Sequence, residues 1–199
     1  MSEERDTVAS VTATILAKIS ASLELSSGKA TLANLRNSIG QPINQTASIW
    51  PLMFENLPNE FLGTDSYISA EEQAILASLQ LLALHQQGKS SFAHEFSQGK
   101  FQENIGEALK NLRSGDDIQA MDRRFNVMIT STTFEELVHH LRQMIKLLKS
   151  KADTTINYAK LAQDLYWFLK GYDDNIRLNW ARSYYKISSK NKQGEENEN

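Results

Sequence analysis

The sequence predicts an all-α protein, a compact bundle of about eight or nine helices. No run of residues alternates apolar and polar side chains between turn signals, as a half-buried strand would. Apolar residues instead recur every three or four positions in several segments, which is the spacing of an amphipathic helix. The three prolines, which tend to end helices, all fall between Pro42 and Pro58. The sequence therefore predicts helices on both sides of one irregular region.

Composition limits the class of protein further. The 199 residues are 41% hydrophobic, enough for one domain or two small ones. We expect a single helical body over residues 5–190, with halves 5–90 and 100–190 as the alternative, and a disordered acidic tail over 191–199. The absence of cysteine excludes disulfides and thiolate metal sites. Without a membrane-length apolar run or a signal-peptide pattern, a soluble, cytoplasmic protein with no membrane partner is expected.

The first half predicts two helices before the proline region and one long helix after it. The first two cover residues 7–20 and 29–38, with Ser26, Ser27 and Gly28 as the break between them. Residues 48–55 predict a short helix whose Trp50, Met53 and Phe54 belong to the core. Ser69 and Glu72 form a capping box for a long helix over residues 70–87.

The second half predicts five helices, over residues 104–113, 118–129, 133–149, from Thr154 or Thr155 to Leu169, and 173–187. Ile118 is expected to be buried at the start of the second of these. Thr132 and Glu135 are expected to cap the third. In the last helix Ile176, Trp180 and Tyr184 share one apolar face.

Basic charge is concentrated in this second half. Residues 100–192 carry a net charge of +5 and the rest of the chain −8. On the helix over 133–149, His139, Arg142, Lys146 and Lys149 form a stripe with rows about 5 Å apart. A single basic stripe is more often a solvated face than a binding surface, but the neighbouring helices repeat the bias.

Catalytic patterns are missing from the sequence. It contains no phosphate-binding glycine loop and no GxSxG elbow. Of the four histidines, His139 and His140 are adjacent, so they point about 100° apart on a helix and could not hold one metal ion together. The carboxylate pairs lie at helix starts, where capping explains them. We therefore expect no enzyme activity, no metal and no cofactor.

Several blocks of sequence occur in a recognisable order along the chain. Three lie in the first half: L-A-N-L-R at Leu32–Arg36, I-W-P-L-M-F at Ile49–Phe54 and L-L-A-L-H-Q-Q-G at Leu81–Gly88. The second half contains M-D-R-R-F-N-V-M-I, L-R-Q-M-I-K-L-L-K and I-R-L-N-W-A-R-S-Y-Y. From about residue 10 to residue 187 the chain thus resembles the CasB family, the small subunit of the type I-E CRISPR surveillance complex Cascade.

The resemblance implies an all-helical, non-catalytic subunit present in two copies beside the large subunit CasA and the backbone subunit CasC. It also implies a basic surface that holds the strands of crRNA-guided target DNA, whose sequence is read by base pairing. The resemblance and helical spacing together give these candidate nucleic-acid-binding residues: Arg36, Arg123, Arg124, Arg142, Lys146, Lys149, Arg177 and Arg182. Arg123 and Arg124 are not expected to point the same way, and the sequence does not choose between them.

Two other hypotheses remain open at this stage. The chain could be a purely structural protein–protein scaffold module whose basic face meets acidic protein surfaces. It could also be an independent binder of duplex DNA. Binding through several phosphates weakens steeply with salt, which distinguishes strand binding from apolar docking.

Overall fold

A computed structural model describes residues 7–65, 67–96, 103–114, 117–151 and 153–186. Within these ranges the chain forms nine α-helices and no strand, which confirms the predicted fold class. The helices are α1 Val8–Ala21, α2 Ser26–Asn37, α3 Trp50–Phe54, α4 Ala70–Gln86, α5 Ile105–Lys110, α6 Ile118–Ile129, α7 Phe134–Lys151, α8 Tyr158–Leu169 and α9 Asp173–Tyr185. Short 3-10 turns lie at Ile43–Gln45, Ala47–Ile49 and Asn59–Phe61. The predicted tail over 191–199 lies outside the described residues.

The long helix α4 is the centre of the fold. It packs against α8, α7, α2 and α1, and α8 also packs against α1. Because α4 has neighbours on most sides, nearly all of its residues are buried. Its predicted capping box is confirmed: the Ser69 hydroxyl accepts from the Glu72 N–H at 3.0 Å, and the Glu72 carboxylate accepts from the Ser69 N–H at 2.8 Å. The contacts of α8 with α4 and α1 join the residues after the Ser90–Gln102 connection to those before it. The domain boundaries stay a prediction.

A second group of helices is organised by α9. It packs on α5 and α8 and, less extensively, on α6. Its predicted apolar face is confirmed, since Ile176, Trp180 and Tyr184 are all buried. The Trp180 indole N–H donates to the buried Asp164 of α8 at 2.8 Å. This bond joins α9 to α8.

Four expectations about local structure were wrong at the ends of helices. Ser26, Ser27 and Gly28 form the first turn of α2, because the chain turns earlier, at residues 22–25. The cap of α7 lies one residue later than predicted, since the Thr133 hydroxyl accepts from the Glu136 N–H. Asn157, and neither threonine, caps α8. Ile118 is 38% exposed, because it lies in the first turn of α6, ahead of that helix's buried residues.

Two aromatic residues expected in the core are at the surface. Trp50 and Phe54 are 39% and 44% exposed, whereas Met53 between them is fully buried. The helix α3 has only five residues, so Met53 is its one buried side chain, with Leu52 partly buried against the core. The Trp50 indole N–H still donates to the Ile43 carbonyl at 2.7 Å, which holds the ring against the preceding turn.

Gly106 permits the close contact between α5 and α9, and its replacement tests that contact. A Cβ atom at this position would lie 2.2 Å from the Trp180 carbonyl oxygen. Alanine normally stabilises a helix relative to glycine by about 1 kcal/mol. We expect Gly106→Ala instead to destabilise the protein, by about 1–3 kcal/mol from overpacking, and Gly106→Val to destabilise it more. Denaturant unfolding measures both; an alanine variant as stable as the parent would contradict the packing.

Candidate nucleic-acid interface

A basic groove lies between α6 and α7, and we call it the α6–α7 groove. It is open to solvent and has a volume of about 600 Å³. Its cationic residues are Arg123 and Arg124 from α6 and Lys146 from α7, all three exposed. The other lining residues are Val127, His139, His140, Gln143, Met144 and Leu147. The structure therefore brings together three of the eight candidate residues predicted from the sequence.

The amphipathic character of α6 explains why both arginines reach this groove. Met121, Phe125 and Met128 are buried at spacings of four and three, so the opposite half of the helix faces solvent. Arg123 and Arg124 are about 100° apart on that half. They do not point the same way, yet both line the groove, because a groove between two helices is wide enough to accept side chains from such an arc.

The electrostatic environment of the groove is positive. No acidic side chain is among the described residues that line it. The nearby Asp117 carboxylate is bound to Lys151 at 2.6 Å, a hydrogen bond that lowers the pKa of Asp117 and keeps the carboxylate ionised. Arg123 makes one contact, from its Nε to the Gln119 carbonyl at 3.3 Å. The guanidinium groups thus keep most of their donors for an anionic partner.

Polar residues that the sequence prediction did not assign complete the wall on α7. The rings of His139 and His140 have centroids 5.4 Å apart, and Gln143 follows one turn later. His139 had been placed on the basic stripe, but His140 and Gln143 had not been linked to the site. Their helical spacing from Lys146, at i−6 and i−3, was the available signal. This spacing alone could not show which side of α7 faces α6, because the sequence does not give the position of the neighbouring helix.

The predicted stripe on α7 does not form one surface. Arg142 lines a different, apolar pocket bounded by α4 and α7, which shares His139 with the groove. Lys149 lies at the edge of the α4–α7 contact, where its ammonium donates to the Leu84 carbonyl at 3.5 Å. Burial, then the positive charges of Arg36 and Lys89, lower the pKa of Lys149. Of the four stripe residues, only His139 and Lys146 line the α6–α7 groove.

Arg36 therefore belongs to a second, smaller basic cluster. With Lys29 and Lys89 it lines an open cavity of about 460 Å³ between α2 and the end of α4. Two of its cations have acidic partners, since Lys89 is 2.7 Å from Asp153 and Lys29 is 3.8 Å from Glu24. This cluster is less positive than the α6–α7 groove, and the sequence prediction had not included Lys89.

The two candidate arginines of α9 lie in different environments. Arg177 pairs with Asp173 at 2.9 Å and Asp174 at 3.2 Å, and it donates to the Ser131 carbonyl at 2.7 Å. It therefore ties the start of α9 to the turn before α7. Arg182 is exposed on α9, which packs mainly on α5 and α8. The Nη donors of Arg177 are thus engaged within the protein.

The part of the chain that the structure describes shows neither a metal site nor a membrane-spanning helix. No cluster of three or more histidine, aspartate or glutamate side chains there could hold a metal ion. His85 and His94 are buried, and both bond to groups near the start of α8. None of the described helices combines the length and apolarity needed to cross a membrane.

Fold and site together define a class: a small all-helical protein with a basic, acid-free groove between two adjacent helices. The family model described as CRISPR-associated protein Cse2 matches residues 31–185 of this chain. The matched region contains both helices of the groove and most of the body. The chain therefore belongs to this family, the CasB family of type I-E Cascade.

Solved structures share the fold. CasB from Thermobifida fusca is 23% identical with a TM-score of 0.72, and the match covers 90% of this chain and 98% of that one. CasB from M. ruber is 22% identical with a TM-score of 0.66, covering 91% and 94%. CasB from Thermus thermophilus is 19% identical with a TM-score of 0.63, covering 87% and 97%. No curated protein sequence matches significantly.

Proposed function

We propose that this protein is the non-catalytic small subunit of a type I-E CRISPR RNA-guided surveillance complex and that it holds opened DNA strands in the α6–α7 groove. The observation that carries the proposal is the convergence of Arg123, Arg124 and Lys146 on one groove with no acidic residue among those lining it. Family membership supplies the complex. In this proposal CasA, CasC, a second copy of the chain and crRNA-guided target DNA are its partners.

The chemistry of the groove suits a phosphate backbone more than base edges. Arginine and lysine side chains that contact phosphates supply affinity and position without reading sequence. In a guide-directed complex, base pairing reads the target, so a subunit that stabilises open strands needs no base contacts. Exposed Val127, at 50% exposure, and the two imidazoles add surfaces on which unpaired bases could stack.

The remaining candidate residues contribute unequally to the proposed DNA binding. Arg36, Lys149 and Arg182 are additional contacts for a longer path of DNA over the surface. Arg142 and Arg177 contribute less, since one extends into an apolar pocket and the other is held by two aspartates. A purely structural scaffold role is the second candidate. The exposed aromatic pair Trp167 and Tyr172, at 39% and 53% exposure, favours it because such side chains are typical of protein interfaces.

Salt-dependent binding of a single-stranded oligonucleotide tests the proposal. Each phosphate contact contributes about 0.7 to the slope of log K against log salt concentration for single strands. The combined change of Arg123, Arg124 and Lys146 to glutamine should lower that slope by about 2 and weaken binding equally for unrelated sequences. Fluorescence anisotropy at four or more salt concentrations gives the slope.

A control variant with the same net charge distinguishes the effect of contacts in the groove from the effect of net charge. Lys18, Lys110 and Lys170 lie outside the groove, and their joint change to glutamine removes the same three charges. We expect the salt slope of that variant to stay near the parent value. Equal slopes for the parent and the groove variant would favour the scaffold role, as would equal lifetimes of the open DNA complex in reconstituted Cascade.

A further inference from the structure

An apolar pocket borders α7 beside the α6–α7 groove and, among the described lining residues, shares only His139 with it. It lies between α4, α7 and the segment that follows α2, and its volume is about 400 Å³. Its apolar walls are formed by six side chains: Ile43, Ile68, Leu76, Ala77, Phe134 and Val138. A concave site with mostly apolar walls and a few polar groups is typical of binding pockets.

Arg142 gives this pocket its only arginine or lysine among the described lining residues. Its Nε atom is buried and has no hydrogen-bond partner in the described part of the chain. Burial in these surroundings lowers the pKa of the guanidinium, which still stays charged at neutral pH. A buried donor without an acceptor is unfavourable, so an acceptor supplied from outside would be bound with a net gain.

Two other half-buried arginines differ from Arg142 in having carboxylate partners, although the Nε of Arg177 is likewise buried without a hydrogen-bond partner in the described residues. Arg113 binds Asp122 through two donors, at 2.8 and 3.1 Å. Arg177 pairs with Asp173 and Asp174. Glu135 lines the same pocket as Arg142, two turns away along α7, but no ion pair joins them. The positive charge of Arg142 is thus left without a carboxylate among the residues described.

The shape beside Arg142 leaves room for such a carboxylate. Gly40 has a φ of +82°, in the left-handed region that favours glycine, and a Cβ atom there would approach only Arg142 Nη2, at 3.9 Å. A planar guanidinium matches a carboxylate through parallel N–H donors. A nucleic-acid backbone is a poor fit, because it requires several exposed cations in a row and these walls are apolar.

We propose that this pocket docks a segment of a partner polypeptide that inserts one apolar side chain between α4 and α7 and places a carboxylate on Arg142. Charge complementarity in an apolar setting supports this docking, as does membership of a family whose members assemble with other protein subunits. The proposal does not depend on nucleic-acid binding in the α6–α7 groove, whose cationic residues are different ones.

Backbone amide NMR of the full-length chain tests the chemistry with small probes. We expect the blocked dipeptide acetyl-Phe-Glu-amide to shift the amide signals of Gly40, Ala77 and Val138. The neutral dipeptide acetyl-Phe-Gln-amide should bind at least fivefold more weakly, and acetyl-Gly-Glu-amide should not bind. Equal affinity for the Glu and Gln probes, or shifts centred on Arg124 and Lys146, would overturn the proposal.

Single substitutions distinguish binding in the apolar pocket from binding in the α6–α7 groove. Arg142→Gln should reduce the affinity for the Glu probe to that of the Gln probe, and Ala77→Leu, which fills the pocket from α4, should block both. Arg124→Gln should leave probe binding unchanged. If 3-phenylpropionate binds as tightly as the dipeptide and Arg142→Gln leaves the chain fully retained in reconstituted Cascade, the pocket serves a small carboxylate and peptide docking is refuted.

The reconstituted complex provides the matching test of function. We expect Arg142→Gln to lower the fraction of this chain retained in the complex on size-exclusion chromatography, by at least threefold, while strand binding by the isolated chain falls far less than in the groove variant. The groove variant with Arg123, Arg124 and Lys146 changed should show the reverse pattern. Full retention of Arg142→Gln would contradict pocket docking and leave the proposed DNA role untouched.

Discussion

Replacing Trp180 with alanine should lower the free energy of unfolding by about 3–5 kcal/mol, as for other large buried aromatics. Trp180 is 1% exposed and lies between α8 and α9. The change removes a large apolar side chain and also the indole N–H that donates to Asp164 at 2.8 Å. Asp164 is itself 2% exposed, and Lys160 remains its other partner. Thermal or urea unfolding measures the loss.

Two variants show whether the decrease in the free energy of unfolding comes from the loss of a core side chain. Trp180→Phe keeps most of the ring but removes the N–H donor, so it should cost less than alanine and more than a surface change. Trp167 is 39% exposed, and Trp167→Ala should cost below about 1 kcal/mol, as surface substitutions do. If both tryptophans gave the same small effect, Trp180 would not be a core residue.

Mild acid should destabilise the protein, because two buried histidines resist protonation. Burial is the main cause that lowers the pKa of His85 and of His94 from 6.5 to about 4. The unfolded chain takes up these protons near pH 6.5. The stabilising contribution is therefore complete above about pH 6.5 and is lost as the pH falls toward 4. At pH 4.5 the contribution of each histidine to the free energy of unfolding should be smaller by about 1–3 kcal/mol.

The hydrogen bonds explain why protonation of His94 is unfavourable. Its Nδ1 accepts from the Tyr158 N–H at 3.1 Å, so His94 satisfies the first backbone donor of α8. The same Nδ1 is 3.2 Å from the Ile156 carbonyl oxygen, which would accept from a protonated ring and so offsets part of the effect of burial on the pKa. An imidazolium would have a proton on Nδ1 and could no longer accept from Tyr158. Protonation thus removes a helix-starting bond.

His85 resists protonation for a different reason. Its Nδ1 is 3.0 Å from the Tyr158 hydroxyl, and its Nε2 is buried with no partner in the described residues. A proton added at Nε2 would have no acceptor. After burial, the positive charges of Lys89 and Lys149 lower the pKa of His85 further, and Asp153 offsets them in part.

Urea unfolding at pH 7.0 and pH 4.5 measures this dependence, and His94→Asn isolates one of the two histidines. Asparagine does not titrate, so the loss between the two pH values should be smaller in the variant by about 1–3 kcal/mol. Imidazole chemical shifts from NMR would give the two pKa values directly. An identical loss in the parent and in His94→Asn would contradict the assignment to His94.

The sequence alone was sufficient for the fold class and for most helices, but not for every buried face, since Trp50, Phe54 and Ile118 are exposed. Helical periodicity depends only on neighbours along the chain, so the apolar row of α9 and the Ser69 cap of α4 were predicted correctly. The basic bias of the second half was also visible as composition. Errors fell at helix ends, where a shift of one residue, as between Thr132 and Thr133, changes little in the periodic pattern.

Only the tertiary structure decided which basic residues act together. Arg142 and Lys146 are one turn apart on α7, yet one faces an apolar pocket against α4 and the other a groove against α6. Arg177 repeats the basic bias in sequence but pairs with Asp173 and Asp174. The physical reason is that charge and periodicity place a side chain on a helix, whereas the packing of neighbouring helices determines whether that side chain meets solvent, a carboxylate or an apolar wall.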